Sequence, residues 1–198
     1  MKVAVLAVQG AFIEHEKRME ELGVSCVELR QAADLEKDYD GIILPGGEST
    51  VQGKLLKDLG MFDRLQQQIK EGMPVLATCA GLILLAEQIC NDDKAYLQTL
   101  PVVVKRNAYG RQLGSFHTEG EVKGLGIIPM EFIRAPYIES VKREVEVLGV
   151  VDEHIIMVQY KNQLAMAFHP ELCECRKIHE KFVQLIVQNN NISLTSIK

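Results

Sequence analysis

Features that mark several large classes of protein are missing from this chain of 198 residues. No cluster of Lys and Arg stands out and the formal net charge is −5, so we expect no nucleic-acid partner. No apolar stretch approaches the ~20 residues that a membrane-spanning helix needs, so we expect no membrane segment. The apolar run at residues 2–8 is too short for a signal peptide and continues into domain sequence.

Cysteine is also sparse. The five cysteines are an odd number without regular spacing, which argues against a disulfide framework and favours a reducing, cytoplasmic setting. His169, Cys173, Cys175 and His179 do form a His-x3-Cys-x-Cys-x3-His pattern that invites a zinc interpretation. The single residue between the cysteines is shorter than the gap usual in structural zinc sites. We therefore predict no metal site, and we interpret Cys173 and Cys175 as small residues entering the last helix.

The order of apolar runs predicts the fold class. The chain has no linker, internal repeat or low-complexity segment, so we predict one domain over residues 1–198 with a polar, frayed tail at residues 189–198. Helix and strand signals alternate in the first half, which is typical of a three-layer α/β fold with a mostly parallel central sheet and helices on both faces. The strand-rich stretch at residues 102–158 should add antiparallel strands. Predicted strands lie at residues 2–8, 24–29, 41–44, 75–78, 102–104, 131–133, 144–151, 155–160 and 164–168, and predicted helices at residues 12–22, 51–59, 62–71, 80–89 and 176–188.

The segment Pro-Val-Leu-Ala-Thr-Cys-Ala-Gly at residues 74–81 carries the strongest chemical signal. An apolar run stops at Cys79 and a helix-like segment follows, which is the strand–turn–helix pattern of a nucleophile elbow with a thiol at the turn. The helix N-terminus behind the turn favours a thiolate, and the small residues Ala77, Ala80 and Gly81 allow close packing. The alternative is a buried core cysteine, because free Cys is among the most buried residue types.

A base for this thiol stands near the other end of the chain. The apolar run at residues 164–168 delivers His169, and Glu171 follows two residues later. Both segments end at the carboxyl edge expected for parallel strands, where α/β folds place their chemistry. His169 would accept the thiol proton and Glu171 would orient the imidazole, while Pro170 fixes the local backbone. Taken alone, His-Pro-Glu would be an ordinary loop.

Two glycine-containing turns complete the pattern. A strand at residues 41–44 runs into Pro45-Gly46-Gly47-Glu48-Ser49-Thr50, whose free backbone N–H groups suit an oxyanion hole. The alternative is a tight loop in which Ser49 or Thr50 caps a helix. Gln9-Gly10 ends the first predicted strand and should face the same crevice as Cys79, unless it is a plain strand-to-helix turn.

These blocks together resemble class I, triad-type glutamine amidotransferases, and most closely the branch of glutaminase subunits of pyridoxal 5′-phosphate synthase. The resemblance spans nearly the whole chain, and its branch-specific parts are Arg-Asn-Ala-Tyr-Gly-Arg-Gln and Ile-Arg-Ala-Pro. The residues that carry it are 6–10, 44–50, 78–82, 106–112, 133–136 and 168–171.

The resemblance implies a flavodoxin-like fold and hydrolysis of L-glutamine to glutamate and ammonia by a Cys79–His169–Glu171 triad. It implies no cofactor, and it names as partner the (β/α)8 synthase subunit that builds pyridoxal 5′-phosphate. Backbone N–H groups near Gly47 and Ala80 would hold the oxyanion, and Gln9 and Gly10 would lie in the region of the oxyanion hole and the partner. The residues implied to bind glutamine are Gly47, Glu48, Ser49, Arg106, Ile133 and Arg134.

The two arginines can also be interpreted from their chemistry alone. Arg106 and Arg134 are candidate anchors for the α-carboxylate of glutamine, since Arg pairs with carboxylates in a bidentate manner. A surface salt bridge is the default role for any Arg, but Arg134 stands where an apolar run ends.

The sequence departs from the family pattern in two places. Ala77 replaces the glycine usual two residues before the nucleophile, which is tolerable if its φ stays negative. Val51-Gln52-Gly53-Lys54 replaces a stretch that tends to hold Thr and basic residues, and Gly53 should weaken its helix by ~1 kcal/mol relative to Ala. Two alternative functions stay open: the glutaminase subunit of a different amidotransferase, and a non-enzymatic relative that uses its cysteines for redox sensing or metal binding.

Overall fold

The computed structural model describes residues 1–90, 92–106 and 114–190. Within these ranges the helices are α1 (Phe12–Glu20), α2 (Ser49–Asp58), α3 (Phe62–Lys70), α4 (Ala80–Leu85) and α5 (Lys177–Asn190). Short 3-10 turns lie at Ala32–Glu36 and Pro170–Leu172. The strands are β1 (Lys2–Leu6), β2 (Ser25–Leu29), β3 (Gly41–Leu44), β4 (Val75–Thr78), β5 (Ala86–Ile89), β6 (Leu100–Lys105), β7 (Ser115–Val122), β8 (Gly126–Ile133), β9 (Tyr137–Val141), β10 (Glu146–Val151), β11 (His154–Tyr160) and β12 (Gln163–Met166).

The strands form one mixed sheet with a parallel part and an antiparallel part. The parallel part has the order β2-β1-β3-β4-β12, and β11, β10, β7 and β8 extend it with antiparallel pairing. A branch of β5, β6 and β9 joins the sheet through β9 and β11. The predicted α/β fold, with helices against a parallel sheet and added antiparallel strands, is confirmed.

Burial explains why the parallel strands were readable as apolar runs. Every residue of β3, β4 and β12 is buried, and in β1 only Lys2 is exposed. Strands that are covered on both faces show continuous apolar sequence instead of alternation. Helix α4 is apolar on every side, and all of its residues are buried in the same core.

The strand order brings four strand ends together. Because β1 lies between β2 and β3, the connections after β1 and β3 leave in opposite directions, and this switch point opens a crevice at the carboxyl edge. In the register of the sheet, Ala77 of β4 lies beside Leu44 of β3 and Ala165 of β12. The residues that follow these strands, which include Gly46, Cys79 and His169, are therefore delivered to one place.

Several predicted elements were wrong in extent. The helix predicted at residues 80–89 ends at Leu85, because Ala86 turns extended and Ala86–Ile89 pairs with β6. Strands β7 and β9 were missed, and β8 begins at Gly126, before the predicted start at residue 131. In β7 the exposed positions carry polar side chains, so its hydrogen bonds to β8 hold it as a strand without an apolar run.

Two helix ends also differ from the sequence-based expectation. Helix α2 begins at Ser49, and Glu48 occupies the N-cap position without a side-chain capping bond, so neither Ser49 nor Thr50 serves as the cap. Helix α5 continues through Asn190, so residues 189 and 190 of the predicted frayed tail are helical. Residues 191–198, the rest of that tail, lie outside the described residues.

The contact between Gly81 and β3 leads to a prediction about stability. A Cβ on Gly81 would lie 2.1 Å from the carbonyl oxygen of Leu44, so Gly81→Ala must push α4 away from the sheet. We expect a loss of about 1–3 kcal/mol in the free energy of unfolding, the usual cost of overpacking a core. Gly114→Ala is the control, because a Cβ there meets no atom of the described residues within 4 Å. Urea unfolding measures both variants, and equal stability would contradict the packing argument.

Candidate active site

Cys79 sits on a strained turn between β4 and α4. Its backbone has φ 46° and ψ −98°, a conformation that residues other than glycine rarely adopt. Such an outlier between a buried strand and a helix is the geometry of a nucleophile elbow. The side chain is 7% exposed and lines a cleft, so the thiol is shielded but reachable. Ala77 lies in β4 without a positive φ, so the departure from glycine there leaves the elbow intact.

His169 and Glu171 stand where β12 ends. The backbone N–H of His169 donates to the backbone carbonyl of Glu131 at 2.8 Å. Pro170 then begins a 3-10 turn that places Glu171 behind the His169 ring. His169 Nδ1 and Glu171 Oε1 are 2.7 Å apart, so Nδ1 carries the proton and Nε2 remains for the thiol. Burial lowers the pKa of His169, but hydrogen bonds with Cys79 and Glu171 outweigh it and raise that pKa to about 10. The structure therefore brings the three predicted triad residues together.

The loop at residues 45–48, which is the predicted oxyanion loop, packs directly on this imidazole. A Cβ on Gly46 would lie 2.2 Å from His169 Cε1, so the close approach requires glycine at this position. The Gly46 N–H donates to Thr78 Oγ1 at 3.0 Å, which ties the loop to the residue before the nucleophile. Gly47 follows Gly46 and lines the cleft with Cys79.

The loop after β1 holds the loop after β3 from the other side. Gln9 Oε1 accepts the backbone N–H of Glu48 at 2.8 Å. A Cβ on Gly10 would lie 2.0 Å from the carbonyl oxygen of Gly46, and the φ of Gly10 is +106°, so this position also requires glycine. The buried amide of Gln52 donates to the carbonyls of Gln9 at 2.9 Å and Pro45 at 3.2 Å. The two loops therefore act as one packed unit.

The two candidate anchor arginines have different surroundings. Arg134 is 71% exposed, has φ 43° and pairs with Glu48 Oε1 at 3.3 Å across the cleft. Arg106 is held more firmly, because Nη1 pairs with Asp92 at 3.0 Å and Nη2 donates to the hydroxyl of Tyr96 at 3.1 Å. Residues 107–112, which follow Arg106 in the motif Arg-Asn-Ala-Tyr-Gly-Arg-Gln, lie outside the described residues.

The unusual Gly53 has a packing reason that propensity alone does not show. A Cβ at this position would lie 2.1 Å from Tyr96 Cε1, so the Tyr96 ring fills the space that any larger residue would take. The hydroxyl of the same ring binds Arg106. The departure from the family pattern at Gln52 and Gly53 thus supports residues that line the cleft: Gln52 binds the loop carbonyls of Gln9 and Pro45, and Gly53 leaves room for the Tyr96 ring that binds Arg106.

The cleft has a volume of about 460 Å³. Ile133 also approaches the nucleophile, with its carbonyl oxygen 4.0 Å from Cys79 Sγ. Two of the predicted site residues do not line the cleft: Glu171 lies behind His169, and Ala80 is buried at the start of α4. The predicted site residues that line it are Gln9, Gly10, Gly47, Glu48, Ser49, Cys79, Arg106, Ile133, Arg134 and His169.

Sequence reasoning missed a group of buried polar residues behind the triad. His15 has charged neighbours along α1, yet it is 0% exposed and lies 3.4 Å from Glu171 Oε2. Its other contacts are Thr78 Oγ1 and His179. A signal was present, because His15 lies four residues before the buried Met19 and therefore on the inward face of α1.

The zinc pattern of the sequence is dispersed in the structure. His169 contacts Glu171, His179 contacts His15, and the Cys173 thiol faces the carbonyl of Pro129 at 3.6 Å. Within the described ranges no group of three or more His, Cys, Asp or Glu side chains is arranged to hold a metal ion. The same ranges contain no helix long and apolar enough to cross a membrane.

Known proteins with the same features identify the family. A model of the SNO glutamine amidotransferase family matches residues 5–188. The chain is 61% identical over 186 residues to "Pyridoxal 5'-phosphate synthase subunit PdxT" of Desulfitobacterium hafniense (strain DSM 10664 / DCB-2), covering 94% of each chain. It is 52% identical over 188 residues to the protein of the same name from Streptococcus pneumoniae (strain CGSP14), covering 93% of this chain and 97% of that one.

Solved structures agree with this assignment. One described as "Crystal structure of glutamine amidotransferase" superposes with a TM-score of 0.88 at 40% identity, covering 93% of this chain and 98% of the other. The order β2-β1-β3-β4-β12 of the parallel strands is the flavodoxin-like order. The chain therefore belongs to the SNO glutamine amidotransferase family, which confirms the resemblance drawn from its sequence motifs.

Proposed function

We propose that this protein hydrolyses L-glutamine to L-glutamate and ammonia, and delivers the ammonia to a (β/α)8 synthase subunit that makes pyridoxal 5′-phosphate. One observation carries the chemistry: a thiol on a strained elbow faces an imidazole that a carboxylate holds at 2.7 Å, in a cleft lined by two arginines. The names of the relatives support the pathway, since both are pyridoxal 5′-phosphate synthase subunits.

In the first half of the reaction Cys79 Sγ attacks the side-chain amide carbon of glutamine, and His169 takes the thiol proton. The amide carbon becomes tetrahedral and its oxygen becomes an oxyanion. His169 then gives its proton to the nitrogen as the C–N bond breaks. Ammonia leaves, and a thioester joins Cys79 to the glutamyl group.

In the second half water replaces ammonia. His169 takes a proton from water, and the resulting hydroxide attacks the thioester carbon. The C–S bond then breaks, the thiolate regains a proton from His169, and glutamate leaves. No cofactor takes part in these steps. The raised pKa of His169 makes its imidazole a strong acceptor for the thiol proton.

The backbone N–H groups of Gly47 and Ala80 supply the oxyanion hole. Both follow strands that end beside Cys79, namely β3 and β4. Gln9 and the packed Gly10–Gly46 contact set the orientation of this loop. Donors fixed in this way stabilise developing charge without reorganising during the reaction.

Substrate orientation follows from the charges at the far side of the cleft. The α-carboxylate of glutamine binds Arg134 and Arg106, and its α-ammonium group binds Glu48. Without substrate Arg134 and Glu48 neutralise each other at 3.3 Å, and glutamine inserts between them. Gly47, Ser49 and Ile133 line the remaining wall.

The need for a partner follows from the product. Free ammonia is protonated in water at neutral pH and is then no nucleophile, so the synthase subunit must cover the cleft. The surface around it is suited to docking, because four large apolar side chains are exposed there or in the neighbouring helix starts: Ile13, Val51, Ile133 and Leu172. All five cysteines are free, which supports a cytoplasmic setting.

A glutamine-like diazo ketone should label Cys79 and no other cysteine. Burial raises the pKa of Cys26 to about 12 and that of Cys173 to about 11, so those thiols stay protonated and unreactive at pH 8. Mass spectrometry of the labelled peptides gives the result, and Cys79→Ala should abolish both labelling and glutamine hydrolysis while keeping the fold. Modification of Cys173 or Cys175 with Cys79 untouched would refute the nucleophile assignment.

Arg134→Ala and Arg106→Ala should each raise the KM for glutamine. Loss of a charge-assisted hydrogen bond costs roughly 1.5–3 kcal/mol, which is about ten- to a hundredfold in binding. Arg64→Ala is the control, because Arg64 pairs with Glu36 and does not line the cleft. Steady-state glutamate production is the measurement. If the two variants lost thermal stability but kept wild-type kinetics, the result would contradict glutamine binding by both arginines and leave them only a structural role as salt bridges.

The synthase subunit should activate the glutaminase. Glutamine turnover is measured for the purified chain alone and with a stoichiometric amount of synthase subunit. We expect kcat/KM to rise at least about tenfold, or ~1.4 kcal/mol of transition-state stabilisation. Cys79→Ala with the same synthase subunit controls for contaminating glutaminases. Equal turnover with and without the synthase would contradict the coupling but leave the glutaminase assignment standing. Turnover in neither sample would contradict the assignment itself.

A further inference from the structure

A chain of buried polar side chains continues behind the proposed triad. Glu171 uses Oε1 for His169 at 2.7 Å, while Oε2 has no hydrogen-bond partner and lies 3.4 Å from His15 Nε2. His15 Nδ1 lies 3.1 Å from His179 Nε2. His15 and His179 are both fully buried, and neither lines the cleft. Buried polar groups are costly unless they are paired, so this arrangement calls for a reason.

Both histidines are neutral at neutral pH. Burial is the largest influence on each: it lowers the pKa of His15 against the opposing pull of Glu171, and it lowers the pKa of His179 to about 3. Each ring therefore carries one N–H, and the question is which nitrogen holds it.

The contacts favour one pair of tautomers. With a proton on Nε2 of each ring, His179 donates to His15 Nδ1, and His15 donates to Thr78 Oγ1 at 3.2 Å, while Glu171 Oε2 lies 3.4 Å from the same nitrogen. The opposite tautomers would give His179 Nδ1 a buried proton, although that atom has no hydrogen-bond partner. They would also aim the lone pair of His15 Nε2 at the Glu171 carboxylate.

Thr78 links His15 to the predicted oxyanion loop. Thr78 Oγ1 contacts His15 Nε2 and accepts the backbone N–H of Gly46 at 3.0 Å. Thr78 immediately precedes the nucleophile, and Gly46 packs against the His169 ring. The Nε2–H of His15 therefore binds the Thr78 hydroxyl, which holds the Gly46 loop, and lies close to the Glu171 carboxylate.

We propose that His15 is a positioning residue for the glutaminase reaction: its Nε2–H binds Thr78 and, at 3.4 Å, stabilises the charge of the Glu171 carboxylate behind His169, and His179 sets the tautomer of His15. The proposal rests on the proposed function. It extends the working unit from three side chains to five, in the order Cys79, His169, Glu171, His15, His179. His15 and His179 never touch glutamine, so their contribution belongs to kcat and not to substrate binding.

The kinetic test compares two substitutions of His15 in the complex with the synthase subunit. His15→Leu removes the N–H at similar volume, and we expect kcat to fall about tenfold or more with KM within about twofold of wild type. His15→Gln keeps an N–H donor near the same place and should retain at least a third of wild-type kcat. The control is His117→Leu, because His117 also contacts a glutamate, Glu131 at 2.7 Å, but on the surface. Its kcat should match that of wild type.

The outcomes separate this inference from the proposed function. Wild-type complex that fails to hydrolyse glutamine refutes the proposed function. Active wild type together with undiminished kcat in His15→Leu refutes the role of His15 alone. Equal losses in His15→Leu and His15→Gln, with lowered melting temperatures in both, would also refute it, since a purely structural role predicts that result.

A second measurement needs neither turnover nor a variant that folds. The chain has five histidines, so a long-range 1H–15N spectrum of the 15N-histidine-labelled protein resolves the tautomer of each ring. We expect the proton on Nε2 in both His15 and His179 at pH 7. A proton on Nδ1 of His15 would overturn the proposal, because Nε2 would then have no hydrogen facing Thr78 and Glu171.

Discussion

The contact between the His169 ring and the backbone of Gly46 is the constraint around which the site is built. It leaves no room for a side chain, since a Cβ would lie 2.2 Å from the ring. The contact joins the proposed base, which follows β12, to the proposed oxyanion loop, which follows β3, across the intervening β4, which Cys79 follows. Three neighbouring strands thus deliver the three proposed functional groups, and the ladder hydrogen bonds between these strands fix the points from which the groups start.

The close packing around the cleft also explains residues that look unfavourable when each is considered alone. Glycine within a helix lowers its stability, yet Gly53 admits the Tyr96 ring whose hydroxyl holds Arg106. The buried amide of Gln52 donates to two loop carbonyls, those of Gln9 and Pro45, and so joins the loops that follow β1 and β3. The positive φ of Cys79 is held by a fully buried strand on one side and a fully buried helix on the other. Each local cost is met by a contact that shapes the cleft.

The sequence predicted the centre of the parallel part of the sheet because β3 and β4 are apolar, buried runs, and it predicted Cys79 and His169 because each follows an apolar run. Strand β7 could not be predicted in this way, since its exposed alternate positions are polar and only pairing with β8 makes it a strand. The end of α4 was misplaced for a related reason: residues 86–89 form a strand with a partner that lies eleven or more residues away along the chain. His15 could not be identified from its charged neighbours in sequence, and only its four-residue spacing to Met19 indicates the buried face of α1.

The site has a fixed side and an adjustable side. Behind His169, the Glu171 carboxylate and the imidazoles of His15 and His179 are buried, so any movement there would expose unpaired polar groups to the core. In front, Arg134 and Glu48 are exposed, and their ion pair has little net value in water. Under the proposed function, a partner that covers the cleft would act at the front, where rearranging side chains costs little. The hydrogen bond between Gln9 and the Glu48 N–H would carry such a movement into the proposed oxyanion loop, while the buried side chains behind His169 hold the proposed base in place.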